Sequence, residues 1–468
     1  MDKYDLIVIG SGPAGEKAAV KAAYFGHRVA LIERETVFGG AGVNTGTLPS
    51  KTLKETALYL SGKYDKGLFG VDRDVETDSS IETFMYRKNY IIKTEGEAVH
   101  RNLLRHKVDI YHGVATFVDR NTVLVNGPKE IDLKGEFILI ATGSYPFHPN
   151  TIPFDLKRIH DSDSILNITR FPQSIVVLGA GVIGCEYATI FSTMGTKVFL
   201  INHVDKILTF IDQEIIKAFV DQMKHDEIDL LFNKSVSKII APKTTEDKVR
   251  VELETGEALN VDMFLFAAGR CGRVKELNLD KVGIPISTRE TLSVNENYQT
   301  NVPNIYACGD VIGFPALAST SMDQGRVAVA HMFQTKDLER IARILPYGIY
   351  TVPEISCAGL SEEEAKEKGI AYCTGVARHK DMPRGKIMGA ESGMLKLVFT
   401  RDDLVVRGVH IVGNLATELI HHGVSLIQGN LTLMDVIAKV YNFPTLHDLF
   451  KYAAYDGLGN LAGYKIKE

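Results

Sequence analysis

The chain has 468 residues, 45% of them hydrophobic, and its 53 lysines and arginines against 58 aspartates and glutamates give a formal charge of −5. That length calls for about three domains of roughly 100–200 residues each, and no run of ~20 apolar residues is available to cross a membrane. Charges of both signs are dispersed, which leaves no basic stripe for nucleic acid or an anionic membrane surface; small molecules and proteins are the expected partners.

In chain order, residues 4–9 predict a short apolar strand, 10–15 a glycine turn, 16–25 an Ala-rich helix and 29–33 a second strand. The same grammar returns at 175–178, 179–184, a helix to about 194 and a strand over 198–201. Further apolar strands end at Ala141-Thr142-Gly143, Ala267-Ala268-Gly269-Arg270 and Ala307-Cys308-Gly309-Asp310, where the chain can turn tightly beside a ligand. From about 347 the pattern changes: Ser361 and Glu364 have capping-box spacing, strands are expected over 394–400 and 404–412, and helices follow. The expected fold is α/β, with two Rossmann-like nucleotide-binding domains, 1–150 with 272–346 and 151–271, and a C-terminal α+β domain over 347–468.

Each glycine turn has the G-x-G-x-x-G form, Gly10-x-Gly12-x-x-Gly15 and Gly179-x-Gly181-x-x-Gly184. The first glycine allows the bend, the second admits a pyrophosphate and the third permits close helix packing, while the helix N-terminus offers free N–H groups to the anion. Glu33 lies 23 positions after Gly10, and Asn202 lies 23 after Gly179. A carboxylate at this place bonds an adenosine ribose and repels a 2′-phosphate by on the order of 4 kcal/mol at ~4 Å and an effective dielectric of about 20. Asn202 applies no such charge test, and His203 and Lys206 nearby could serve a phosphate, so the second unit is expected to take both NAD and NADP.

With these residues the chain resembles the flavoprotein pyridine nucleotide–disulfide oxidoreductase family over nearly its whole length. The resemblance rests on the two turns with Glu33, on Gly39-Gly40, Pro49-Ser50-Lys51, Ala141-Thr142-Gly143, Glu186 and Gly309-Asp310. It implies FAD in the first unit, NAD(P)H in the second and a homodimer or higher homo-oligomer formed through the C-terminal domain. FAD contacts implied on this basis are Gly10, Gly12, Pro13, Ala14, Gly15, Glu33, Arg34, Gly39, Gly40, Ala41, Gly42, Thr45, Lys51, Ala115, Ala141, Thr142, Gly143, Gly309, Asp310, Leu317 and Ala318. Nicotinamide nucleotide contacts implied are Gly179, Gly181, Val182, Ile183, Gly184, Glu186, Asn202, His203, Lys206, Gly269 and Arg270. Lys51 would stand near the reactive flavin nitrogen and pair with Glu186, the two forming the catalytic set.

The departures carry the functional information. Where the family's disulfide reductases have G-G-x-C-x-N-x-G-C-x-P-S-K, this chain has Gly42 and Thr47 in place of the cysteines, and neither can exchange disulfides. Where those enzymes have His-Pro, it has Phe443-Pro444, and phenylalanine carries no proton. Residues 44–53, 160–166, 184–188, 323–326 and 348–356 are similar to family members that pass hydride from NADPH to NAD⁺ by a ping-pong route, although some of those keep the first cysteine. Hydride transfer between nicotinamide nucleotides through the flavin alone is therefore expected, the alternatives being an NAD(P)H:quinone or dye reductase and a non-catalytic nucleotide-sensing flavoprotein. The five cysteines are widely spaced, His421-His422 do not share a helix face, and no metal site is expected. A motif starting at Tyr4 leaves no room for a leader, which together with the cysteine usage places the expected location in the cytoplasm.

Overall fold

The computed structural model describes residues 2–62, 80–244, 246–335, 337 and 340–464. β1 (Asp2–Ile9) is apolar on both faces over its second half, as a strand covered on both sides must be. It leads through the first glycine turn into α1 (Pro13–Tyr24), which starts three residues before the Ala-rich run because the fixed φ of Pro13 suits a first helical turn. β2 (Val29–Glu33), the short α2 (Gly40–Asn44), α3 (Thr47–Leu60) and α4 (Ile81–Arg105) follow. β3 (Asp109–His112), β4 (Val114–Asp119), β5 (Thr122–Asn126) and β6 (Ile131–Ile140) complete most of a sheet ordered β3-β2-β1-β6-β5-β4. β1 runs parallel to both β2 and β6, so the C-terminal ends of β1 and β6 open on the same side.

β7 (Ser144–Pro146) carries the chain out to a second unit: β8 (Ile159–Asp161), β9 (Ser174–Leu178), α5 (Val182–Thr193), β10 (Lys197–Asn202), α6 (Gln213–His225) and β11 (Asp229–Phe232). An antiparallel ribbon, β12 (Val236–Ile240), β13 (Val249–Leu253) and β14 (Ala258–Val261), precedes β15 (Met263–Phe266). The parallel sheet is ordered β11-β10-β9-β15-β8. β16 (Arg270–Gly272) then pairs with β7, so exit and return are stitched together, and β17 (Ile305–Ala307) rejoins the first sheet parallel to β6. α7 (Ala318–Phe333) packs on α1, where a Cβ at Gly325 would lie 2.4 Å from the Ala14 carbonyl oxygen.

The third unit holds β18 (Tyr347–Ile349), β19 (Ile355–Gly359), α8 (Glu362–Glu367), β20 (Tyr372–Arg378), α9 (Pro383–Ile387), β21 (Met394–Thr400) and β22 (Val406–Val412). α10 (Ala416–Gln428), α11 (Leu433–Ala438) and α12 (Asp448–Ala462) follow. Its antiparallel sheet is ordered β18-β19-β22-β21-β20, and Leu395, Leu397 and Phe399 of β21 are buried with Phe450, Ala453 and Ala454 of α12. Ser361 and Glu364 form the capping box that opens α8. β22 begins at 406 rather than 404 because Leu404 has φ 59° and turns the chain before the ladder starts. Among the described residues no helix is long and apolar enough to cross a membrane.

Candidate active site

Both glycine turns sit at the carboxyl ends of their parallel strands, and the two are built alike. Gly10 has φ 104°, and a Cβ there would lie 2.5 Å from the Ala141 carbonyl oxygen; Gly179 has φ 108°, with the Ala267 oxygen at 2.8 Å. Each turn is thus pressed against the neighbouring strand end, which brings 141–143 and 267–269 beside the two turns. Gly15 and Gly184 do not face a cavity: a Cβ on either would meet the carbonyl oxygen of Gly10 at 1.9 Å or of Gly179 at 1.8 Å. Their role in the structure is the close helix–turn contact.

A cavity of about 900 Å³ runs from the first turn to the junction of all three units. Gly10, Gly12, Pro13 and Ala14 line it at one end with Glu33 and Arg34; Gly40, Ala41, Gly42, Thr45 and Lys51 line its side, and Ala115, Ala141, Thr142 and Gly143 its back. Gly309, Asp310, Leu317 and Ala318 close one wall, while Val182, Ile183, Glu186 and Arg270 enter from the second unit. Gly39 lies just behind, donating its N–H to Ser11 Oγ at 3.0 Å. Ser11 in turn gives its N–H and hydroxyl to Glu33 Oε2 at 2.8 and 2.6 Å, and Glu33 Oε1 accepts from the Glu35 N–H at 2.9 Å. The carboxylate is held rigid and keeps accepting capacity for a ribose hydroxyl. Thr142 Oγ1 is buried with no protein partner, an orphan that a bound group in this cavity would satisfy.

Where the units meet, Lys51 Nζ donates to both oxygens of Glu186 at 2.8 Å. The Glu186 side chain is only 5% exposed and also accepts from the Tyr350 N–H at 3.0 Å and from Ser50 Oγ at 3.3 Å. The Tyr350 ring centroid lies 4.9 Å from the ammonium. Four hydrogen bonds from three donors satisfy this carboxylate almost fully, which is what a buried charge requires. α3, which carries Lys51, is fixed one turn further on by Lys54, whose ammonium meets Glu354 at 2.6 Å; Glu354 also caps α10 through the Thr417 N–H and hydroxyl.

A polar chain links the units along one wall. Arg270 donates to Ser144 Oγ at 2.9 Å, to Ser162 Oγ at 3.1 Å and to Asp163 at 3.2 Å, and Ser144 Oγ donates to Asp310 at 2.9 Å. Burial pushes the Asp163 carboxyl up despite the Arg270 guanidinium beside it. Ser144, Asp163, Tyr350 and Lys54 escaped sequence reasoning. Ser144 follows Thr142-Gly143 directly and could have been found there, whereas Tyr350 and Lys54 act through tertiary contacts that no spacing reveals.

The second cavity, about 580 Å³, is lined by Gly179, Gly181, Val182, Ile183, Asn202, His203 and Gly269. Asn202 Oδ1 accepts from the Ala180 N–H at 3.4 Å, the counterpart of Glu33 bracing Ser11. Asn202 adds a constraint of its own here, and the expectation for Lys206 needs correction. The Asn202 amide hydrogens are already given to the Val204 and Lys206 carbonyls, at 3.2 and 2.9 Å, so this side chain holds its own loop instead of offering a donor outward. Lys206 lines neither cavity; Lys234, 32 positions from Asn202, does.

The five cysteines are free, and burial pushes the thiols of Cys185 and Cys308 far up, leaving them protonated packing groups. A Cβ at Gly42 would lie 2.9 Å from the Pro13 ring, so the helix that would carry a first cysteine is seated directly on the first turn. The two adjacent histidines diverge: His421 lines the large cavity, while His422 Nε2 bonds Tyr441 Oη at 2.9 Å. Burial, and then the charge of His447 and Lys439, hold His422 down to about 4. His447 stacks on Phe450 in that same aromatic cluster, and Phe443 is exposed.

Two glycine turns on parallel sheets, two cavities that share Val182 and Ile183, and a buried Lys–Glu pair where the units meet define a class, and comparison with known proteins gives it a family. Residues 4–325 match the model for pyridine nucleotide-disulphide oxidoreductase and residues 345–454 that for the family's dimerisation domain. The chain belongs to this family. It is 38% identical over 464 residues to the soluble pyridine nucleotide transhydrogenase of Mycobacterium bovis (strain BCG / Pasteur 1173P2), covering 98% of each chain. Against the protein of that name from Marinomonas sp. (strain MWYL1) it is 38% identical over 467 residues, 98% of this chain and 99% of the relative. Among solved structures, the Cu(II) complex of the HOCl-induced flavoprotein disulfide reductase RclA from Escherichia coli superposes with a TM-score of 0.88 at 25% identity, covering 97% and 99% of the two chains.

Proposed function

We propose that this chain is an FAD-dependent enzyme that transfers hydride between NADPH and NAD⁺, with both nucleotides using one site in turn. The observation that carries this reading is the Lys51–Glu186 pair at the junction of the two cradles, in a cavity whose neighbouring positions 42 and 47 hold glycine and threonine. The names of the full-length relatives agree with it.

The residues present fit FAD. The first turn and the N-terminus of α1 would receive the pyrophosphate, Glu33 the adenosine ribose, and Asp310, oriented by Ser144, the ribityl chain. When bound, FAD supplies the redox chemistry, accepting hydride from one nicotinamide and giving it to another. The protein's contribution is position and field. Lys51 places a positive charge at the junction, Glu186 fixes its direction, and Tyr350 covers it from water. Val182 and Ile183 bridge the two cavities and would guide a nicotinamide toward that point.

In the second unit the 179–184 turn would take the nicotinamide nucleotide pyrophosphate. Asn202, lacking charge, lets either ribose form enter, so one pocket serves both halves of a ping-pong cycle. Exposed apolar residues in the region matching the dimerisation model, among them Val440 at 94% and Phe443 at 68%, support a homodimer. Free cysteines, four of the five buried, support a reducing, cytoplasmic setting.

Initial rates of NADPH-dependent reduction of a thionicotinamide analogue of NAD⁺ test this reading. Parallel double-reciprocal lines, unchanged after iodoacetamide treatment, are expected. Intersecting lines, or activity abolished by alkylation, would overturn it, and fast turnover with quinone but none with the analogue would replace it by a quinone reductase.

A further inference from the structure

Tolerance of two nucleotides that differ by one phosphate needs a cation that is useful when the phosphate is present and costs nothing when it is absent. The second cavity contains such a group. Asn202 ends β10, and its carbonyl accepts the Lys234 N–H at 3.1 Å, so the loop leaving β11 lies alongside the place where Glu33 stands in the first unit. Lys234 lines this cavity with Asn202, His203 and the glycine turn, and among the described residues lining it Lys234 is the lone Lys or Arg. Its ammonium is held 3.0 Å from Glu257, which is 62% exposed and also receives the Thr255 hydroxyl at 3.3 Å.

We infer that Lys234 recognises the 2′-phosphate of NADP(H) by exchanging Glu257 for it. This rests on the nucleotide site proposed above and names the residue that makes it permissive. An exposed pair such as Lys234–Glu257 is weakly held and its carboxylate is readily hydrated on release. A phosphate bearing more charge and three acceptor oxygens makes the stronger partner. With NAD(H) the ammonium stays on Glu257, so no cation is stranded beside a ribose hydroxyl. Asn202 supplies the other half of the device: it removes the repelling carboxylate while its own donors remain committed to the 203–206 loop.

The test is calorimetric titration of the FAD-loaded protein with NADP⁺ and with NAD⁺, oxidised forms that bind without hydride transfer, so the outcome is independent of whether the transhydrogenase reading holds. Lys234→Met should weaken NADP⁺ by about tenfold or more, the worth of a charged hydrogen bond, and leave NAD⁺ within about twofold. Glu257→Gln, which frees Lys234, should tighten NADP⁺ and leave NAD⁺ unchanged. Lys206→Met should alter neither. Equal losses for both nucleotides in Lys234→Met, no loss for either, or loss of NADP⁺ affinity in Lys206→Met instead would overturn the assignment.

Discussion

Glu186 gathers Lys51, Ser50 and the Tyr350 N–H onto one nearly buried carboxylate, and this fixes where a positive charge stands at the meeting point of the units. Removing the ammonium withdraws that charge and leaves the carboxylate with two weaker donors, Ser50 Oγ and the Tyr350 N–H. Lys51→Met is therefore expected to slow reduction of the bound flavin by NADPH by on the order of 10²-fold, as loss of a preorganised electrostatic group does elsewhere, with FAD retained; anaerobic stopped-flow absorbance measures it, and an unchanged rate would contradict the role. Lys51 and Glu186 were legible through family resemblance, since 135 positions separate them and no local spacing joins them. The fate of Asn202 was not legible, because it depends on how residues 203–206 turn back onto the amide. Lys234 was missed for a related reason: only the register of β10 and β11 brings it beside Asn202.

At the scale of elements, the two glycine turns were the most readable feature, because each combines a conformational demand with a packing demand that other residues fail. The boundary differences are local. α1 gains its first turn from Pro13, and β22 loses two residues to the positive φ of Leu404. The third glycines offer a paired test, since a methyl group at Gly15 or Gly184 drives the helix off its turn. Gly15→Ala is expected to yield protein depleted in FAD. Gly184→Ala should stay yellow but bind NADP⁺ and NAD⁺ about tenfold or more weakly, a cost in the usual 1–3 kcal/mol range for overpacking. Flavin absorbance and nucleotide titration read the two outcomes, and full FAD content in Gly15→Ala would count against the first turn as the flavin cradle.

For the whole molecule, the units are joined by charge as well as by apolar packing. Lys396 of β21, 1% exposed, meets Asp212 at 3.0 Å, Glu362 at 2.6 Å and Glu214 at 3.1 Å, tying the start of α6 in the second unit to the third-unit sheet. Asp212 also caps α6 through the Glu214 N–H and accepts from the Glu362 N–H. Burial pushes its carboxyl up, but His410 and Lys396 outweigh that and leave it below the usual range. A carboxyl depressed in the folded state contributes stability that is complete above its unfolded value, about 3.9, and is lost as pH falls through the folded one. The melting temperature should thus drop on acidification below about pH 4. Lys396→Met strands a buried carboxylate and should cost about 3–5 kcal/mol at neutral pH, with a shallower acid slope; thermal melts across pH measure both, and a variant as stable as the parent would exclude the network from the interface. None of this was readable in the sequence, where Lys396 is one lysine in an apolar strand.

The most direct test of the central claim is a two-step anaerobic titration of the purified yellow protein. NADPH is added first, until the flavin absorbance bleaches, and NAD⁺ is then added in its place. Return of the flavin band with one NADH formed per flavin reoxidised is the expected result, with or without prior alkylation of the cysteines. A flavin that NADPH does not bleach, or one that stays bleached with NAD⁺ and recovers only with a quinone or a disulfide, would contradict it.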